Sequence, residues 1–374
     1  MGRILRDKMN AVKKKIHPKK LLKRLFNALI LLIIIITMIV GISRLITYFS
    51  CNIDTENGVD EGIYVTIGKQ EQYLLIRGEN TENPVIIWLH GGPASPDAFA
   101  NYTFQKYLTD GYTVINWDQR GCGRTYFKNA DVDPNNETVS FEQAQEDLDE
   151  LIDYATKRFN KEKVIIVGHS YGTILGSKYT IDHPDKVSAY IGVGQFMDIE
   201  SEIYSYNDAL EKAKAKGDDT SDMENAYKQY CENKSLVNMT ALRSHADKYH
   251  RAPKEADTLW TGIASPYMGI DDIRWFFKQL GPLENVIGLN QKLFDIIQKC
   301  DLRDYGSEYT VPVGFISGSD DWVTPVKYSE DYYDYISAPE KDFAIIDGCG
   351  HSPQYDNPSE FCSTLKNMLS EFEK

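Results

Sequence analysis

The sequence predicts an α/β protein: a mostly parallel central sheet with helices on both faces and a helical insertion, preceded by one N-terminal transmembrane helix. Three observations lead there. Short apolar runs alternate with amphipathic helical segments, the pattern of a parallel sheet whose strands are buried on both sides. The alternation stops between about Asp198 and Tyr305, where the chain becomes charged, tyrosine-rich and helix-prone. Finally, residues 25–43, LFNALILLIIIITMIVGIS, are nineteen positions without a charge.

That last run makes about 28 Å of helix at 1.5 Å per residue, close to the hydrocarbon thickness of a bilayer. It is apolar all round, unlike a helix on a soluble surface. It is also too long for a cleaved signal peptide, and no A-x-A junction follows it. A signal anchor over 25–46 is the expectation. Residues 1–24 carry ten Lys and Arg against one acid, Asp7. The positive-inside rule puts this basic segment in the cytoplasm and the rest of the chain on the outer side of the cell membrane. The formal net charge is nevertheless −14, so the basic character is local and a nucleic-acid partner is not expected. The six cysteines (51, 122, 231, 300, 349 and 362) show neither C-x-x-C nor metal-ligand spacing. Scattered buried thiols are expected, with no metal and no organic cofactor. No motif speaks to oligomeric state.

The elements follow in order. Residues 50–62 read as a polar linker. Two β-like runs, Ile63–Gly68 and Tyr73–Gly78, flank a short polar turn. Val85–Leu89 is a buried strand ending at His90-Gly91-Gly92-Pro93, and Thr113–Trp117 is the next. A helix from about Ser140 places Phe141, Ala144, Leu148, Leu151, Ile152, Ala155 and Phe159 on one stripe. Ser140 with Gln143 three positions on is a plausible capping box. Val164–Val167 is a strand and Ile174-Leu175-Gly176 lies on the helix after it. Strands Val187–Val193, Val311–Ile316 and Phe343–Ile346 complete the sheet. The core therefore spans 60–197 and 306–374, and 198–305 is a helical cap over the sheet's C-terminal edge. Asn207–Lys216 and Ile273–Leu280 are helices within that cap.

Gly168-His169-Ser170-Tyr171-Gly172 fits G-x-S-x-G, a weak pattern by itself. Its position where a buried strand meets a helix is what makes Ser170 a candidate nucleophile. A serine nucleophile needs a base and a group that orients the base. His351 follows the last strand in a glycine-rich loop, where a base belongs. His183 ends a helix, and His245 and His250 lie in the insertion. Asp320 and Asp321 both follow Val311–Ile316 and compete for the acid; Asp321 is preferred, with Asp320 read as a turn former. Oxyanion N–H donors are expected from Tyr171, directly after the nucleophile, and from Gly92 in the loop after the first buried strand. His90 precedes the serine and is read as a brace for that loop. Asp118 and Arg120 are likewise read as structural, in preference to an Arg120 or Arg124 that grips substrate.

These residues carry a resemblance. Asp118-Gln119-Arg120-Gly121-Cys122-Gly123-Arg124-Thr125 is similar to the DQRGCGRS of the prolyl aminopeptidase (proline iminopeptidase) group of the α/β-hydrolase fold superfamily. His90-Gly91-Gly92-Pro93 resembles the start of its HGGPG, Gly318–Pro325 its G-x-x-D-x-x-x-P acid loop, and Gly350-His351-Ser352 its GHS. The resemblance runs over nearly all of 60–374 and implies the α/β-hydrolase fold with Ser170, Asp321 and His351 as a triad beneath a cap. It favours Asp321 over Asp320. Two positions depart from the pattern: Ala94 stands for the last glycine of HGGPG, and Tyr171 for the usual elbow tryptophan. The group recognises a free N-terminal amine through cap carboxylates, for which Glu200, Glu202 and Asp198 are candidates here.

The expected function is thus a membrane-anchored serine hydrolase acting on a small peptide or ester. An aminopeptidase releasing N-terminal proline or a similar residue comes first, a carboxylesterase second. A catalytically silent binding protein would show a missing triad member, and none is missing.

Overall fold

The computed structural model describes residues 18–374. The basic segment expected over 1–24 therefore lies mostly outside the described residues. The first helix, α1 (Pro18–Cys51), continues past the end of the apolar run. Its Arg44 Nε donates to the Ile263 carbonyl at 3.0 Å, and the Cys51 carbonyl accepts from Arg77. Those contacts hold the chain helical to Cys51, and the first strand starts at Val59, so the expected linker over 50–62 shrinks to the few residues between them.

The strands are β1 (Val59–Ile67), β2 (Gln70–Gly78), β3 (Val85–Leu89), β4 (Thr113–Asp118), β5 (Val164–His169), β6 (Val187–Val193), β7 (Val313–Gly318) and β8 (Lys341–Ile346). They form one eight-stranded sheet in the order β1-β2-β4-β3-β5-β6-β7-β8. β1 and β2 form an antiparallel hairpin, and β2 runs antiparallel to β4; every later pairing is parallel. Side chains alternate across the sheet. Val85, Ile87 and Leu89 pack with α2 (Phe141–Phe159) and α3 (Tyr171–Asp182) on one face. Ile86 and Trp88 pack on the other with Phe104 and with Phe361 and Leu365 of the C-terminal helix, Pro358–Phe372. Strands buried on both faces need continuous apolar sequence, which is why they read as plain apolar runs.

The α2 stripe is buried as expected, and Ser140 caps it by accepting from the Gln143 N–H at 3.0 Å. The return arm of the capping box is not formed. The Gln143 amide donates instead to Asp147, which Arg120 also holds through its Nε at 2.7 Å.

Between β6 and β7 the chain forms α4 (Ser201–Lys216), α5 (Ser221–Glu232), α6 (Leu236–Ala246), α7 (Thr258–Ala264), α8 (Ile270–Gln279) and α9 (Leu283–Lys299). Tyr206, Tyr230, Leu236 and Leu242 join these helices to the same apolar core that lies over the α2 face. The expected helices at 207–216 and 273–280 both exist and begin earlier, at Ser201 and Ile270.

Candidate active site

Ser170 sits between β5 and α3 with φ 54° and ψ −120°. A non-glycine residue holds such a conformation only where its surroundings over-determine it, at a cost of roughly 1–3 kcal/mol. The surroundings here are tight. A Cβ at Gly172 would lie 2.2 Å from the Leu89 carbonyl oxygen, and one at Gly168 would lie 2.5 Å from the Gly172 oxygen. The two glycines of G-x-S-x-G let the strand-to-helix turn close, and closure forces the serine into its strained geometry. Tyr171 opens α3, so its N–H has no acceptor within the helix.

The loop after β3 approaches from the other side. Gly92 has φ 118°, a conformation that disfavours any side chain, and a Cβ at Gly91 would lie 3.0 Å from the Ser170 Cβ. Ala94, the departure noted above, takes φ 63°. Its carbonyl accepts from Trp275 Nε1 at 3.1 Å and Gln279 Nε2 at 2.8 Å, both on α8. The cap thus holds the loop in a conformation that glycine would adopt freely.

His351 Nδ1 donates to the Asp321 carboxylate, 3.0 Å from one oxygen and 3.1 Å from the other. The Val323 and Thr324 N–H groups each donate to Asp321 at 2.9 Å, and the Thr324 hydroxyl does so at 2.8 Å. Burial pushes the Asp321 carboxyl upwards, but the His351 charge and these hydrogen bonds outweigh it and hold the group below the usual range. Asp321 therefore stays ionised and fixes the imidazole tautomer, leaving Nε2 free to act as a base. Asp320 points elsewhere: its N–H donates to the Cys349 carbonyl and its carboxylate accepts from Ser319.

Two cavities flank Ser170. One, of about 300 Å³, is walled by Ile174, Phe196, Leu236, Met239, Phe294 and Ile297, and also touches Gly92 and Tyr171. The other, of about 360 Å³, contains His351, Gly91, Gly92 and Asp97. Ser170, Gly92 and the cap's Arg243 line both. Ser170 and Gly92 thus face both cavities, with Tyr171 on the wall of the first and His351 on the wall of the second.

The amine-binding candidates fare differently. Glu200 is half exposed and pairs with Lys234 at 2.6 Å, away from both cavities. Glu202 is buried, and its two oxygens accept from Arg243 Nε at 2.9 and 3.1 Å. Its charge reaches the cavities only as the partner of Arg243. Asp198 accepts from Arg303 at 3.0 Å and lines neither cavity.

Asp97 had no sequence signal beyond following the oxyanion loop. It accepts from Trp88 Nε1 at 3.0 Å and from Asn101 Nδ2 at 2.9 Å. Burial raises its carboxyl to about 6 despite these donors. His169, the variable residue before the nucleophile, donates through Nε2 to the His351 carbonyl at 2.9 Å. Burial, then the neighbouring His351, drive its pKa down to about 3, so it stays neutral.

The readings of His90, Asp118 and Arg120 agree with the structure. His90 donates from Nδ1 to the Gly91 carbonyl at 2.8 Å and accepts at Nε2 from the Gln119 N–H at 3.4 Å. Burial lowers its pKa to about 4. Asp118 accepts from the Arg124 N–H at 3.0 Å, and Arg120 ties Gly68, Thr138 and Asp147 together. Arg124 does not reach the cavities; it grips Asp272 of α8 and joins core to cap. The six cysteines form no disulfide, and five of them are buried.

A strained serine at a strand-to-helix elbow, an aspartate–histidine pair in the loops after β7 and β8, and a helical cap together define a serine hydrolase. Consistent with this, the chain belongs to the α/β hydrolase fold family, whose sequence model matches residues 84–358. It is 26% identical over 318 residues to a probable aminopeptidase of Bacillus subtilis, covering 80% of this chain and 93% of the relative. It is 24% identical over 315 residues to a proline iminopeptidase of Lactobacillus delbrueckii subsp. bulgaricus, covering 82% and 96%. Among solved structures it resembles the proline iminopeptidase of Mycobacterium smegmatis with a TM-score of 0.60 and 19% identity, over 83% of this chain and 98% of that one.

Proposed function

We propose that the protein is a membrane-anchored serine aminopeptidase that releases N-terminal proline or a similar residue from short peptides. His351 Nε2 takes the proton from Ser170 Oγ as the oxygen attacks the substrate carbonyl. The Gly92 and Tyr171 N–H groups hold the developing oxyanion, worth about 3 kcal/mol for one such donor. The imidazolium, steadied by Asp321, passes its proton to the leaving amine. Water, activated by the same histidine, then releases the acyl group and restores Ser170.

The observation that carries the peptidase reading is Asp97. It is the one carboxylate among the described residues lining the two cavities at Ser170. A peptide's α-amino group is cationic at neutral pH, and above about pH 6 Asp97 is its counter-charge. The apolar cavity beside it suits a proline ring. The relatives' names point the same way.

The second reading, a carboxylesterase on small acyl esters, is favoured by the Arg243–Glu202 pair, which neutralises the cap carboxylate that would otherwise draw an amine. Comparing prolyl anilide with short acyl nitrophenyl esters separates the two. The peptidase reading expects the larger kcat/KM on the anilide, and a preference for esters would replace it with the esterase.

Anchoring is supported by α1, which has a mean hydropathy of 2.9 over its most apolar stretch and no burial there. With the basic N-terminus inside, the catalytic part lies outside the cell membrane. Protease added to cells stripped of their wall should reach it; complete protection would reverse the orientation.

A further inference from the structure

Large apolar side chains are exposed in one place on the cap far more densely than elsewhere on the globular part. Leu259 and Trp260 on α7 are 62% and 46% exposed, and Ile270 and Phe277 on α8 are 77% and 65%. Ile273, Phe276 and Leu280 add to the same strip. At 100° per residue, positions 270, 273, 276, 277 and 280 fall within about a third of the helix circumference. The buried residues of α8, Asp272 and Trp275, lie on its other side. A strip of this kind needs a covering.

Its location identifies the covering. Arg44 is the first charge after the apolar run of α1, so on the anchoring reading it marks the membrane boundary. Arg44 is also where the cap attaches: its guanidinium donates to the Ile263 carbonyl at the end of α7 and to the Met268 carbonyl just before α8. The segment joining the two apolar helices is therefore pinned at the height where α1 leaves the lipid. Tryptophan and phenylalanine on helices at that depth suit the headgroup region, where an amphipathic helix lies in the plane of the interface.

We infer that α7 and α8 rest in the outer interface of the same bilayer that α1 spans, with the lipid as the occupant of this strip. The inference rests on the anchoring reading. It has a consequence for the site, because the other side of α8 holds the Ala94 carbonyl through Trp275 and Gln279. The lipid-facing helix is thereby the one that shapes the oxyanion loop.

The test uses the full chain reconstituted in phosphatidylcholine vesicles whose acyl chains carry bromine, compared with unbrominated vesicles. Bromine quenches tryptophan on contact. Trp88, Trp117 and Trp275 are buried and Trp322 is half-buried against His250 beside the acid loop, whereas Trp260 lies on the strip. Wild-type emission should fall in brominated lipid. Trp260→Phe should lose most of that fall while still floating with the vesicles, and adding Phe277→Trp to it should restore the fall. Emission insensitive to bromine in all three floating proteins would overturn the inference, including the case in which a second copy of the chain covers the strip and cross-links as a dimer. A chain that does not float with vesicles would overturn the anchoring reading and this inference with it.

Discussion

The catalytic floor and the cap are built by different means. In the floor, backbone geometry does the positioning: Gly168 and Gly172 let β5 turn sharply into α3, and Ser170 is held at φ 54° as a result. The acid loop obeys the same logic, with two backbone N–H groups and a threonine three residues on fixing Asp321. The cap is positioned by side-chain pairs that cross long stretches of sequence. Arg124 meets Asp272, 148 residues away, and Arg243 meets Glu202, 41 residues away. Even the acid loop is clasped from above, where Trp322 stacks on the cap's His250 with ring centroids 5.1 Å apart. The floor is thus set by local backbone geometry and the cap by distant side-chain pairs, so substitutions in the two regions should fail differently.

The largest effect is expected in the floor. Asp321→Asn keeps the shape of the loop but removes the charge and the tautomer control. It should lower kcat about 10⁴-fold with little change in KM, read by steady-state kinetics on the best substrate. A loss of only a few-fold would break the assignment of Asp321 as the orienting acid.

A cap substitution should act on stability first. Arg124→Ala strands Asp272, whose side chain is 5% exposed, without its partner. Removing one member of a buried pair costs about 3 kcal/mol or more. Urea unfolding should register that loss, and proteolysis between α7 and α8 should quicken. Unchanged unfolding would mean that the core-to-cap tie carries no weight.

The smallest expected effect separates substrate classes. Asp97→Asn should raise KM about tenfold for substrates with a free amine, a difference of about 1.4 kcal/mol, and leave esters unaffected. The wild-type KM for amine substrates should show the same effect with pH. As pH falls through about 6, Asp97 takes up a proton and its attraction for the cation is lost. A KM independent of pH from 7.5 to 5 would remove Asp97 from substrate recognition.

This contrast also explains what could be read from the chain. The elbow was legible because strand, serine and helix are contiguous and their sterics are local. His351 and Asp321 were legible because chain order and the strands before them locate their loops. Asp97 was not: one more acid in an acidic chain carries no mark of its burial, which depends on Trp88 and Asn101 folding around it. Nor could the sequence separate Glu200 from Glu202. Two positions apart on the cap, one reaches solvent and the other is buried against Arg243, a difference decided by how α4 packs on α6. The linker is shorter than the polar run 50–62 suggests because its helical end is held by Arg77, a residue of the sheet.

The central claim is that Ser170 is the nucleophile. Labelling of the full chain by a fluorophosphonate probe, followed by mass identification of the modified peptide, tests it most directly. The account predicts one adduct, on Ser170, with Ser170→Ala folded yet unlabelled and inactive. Labelling of Ser170→Ala at the wild-type rate, or an adduct on a different serine, would contradict it.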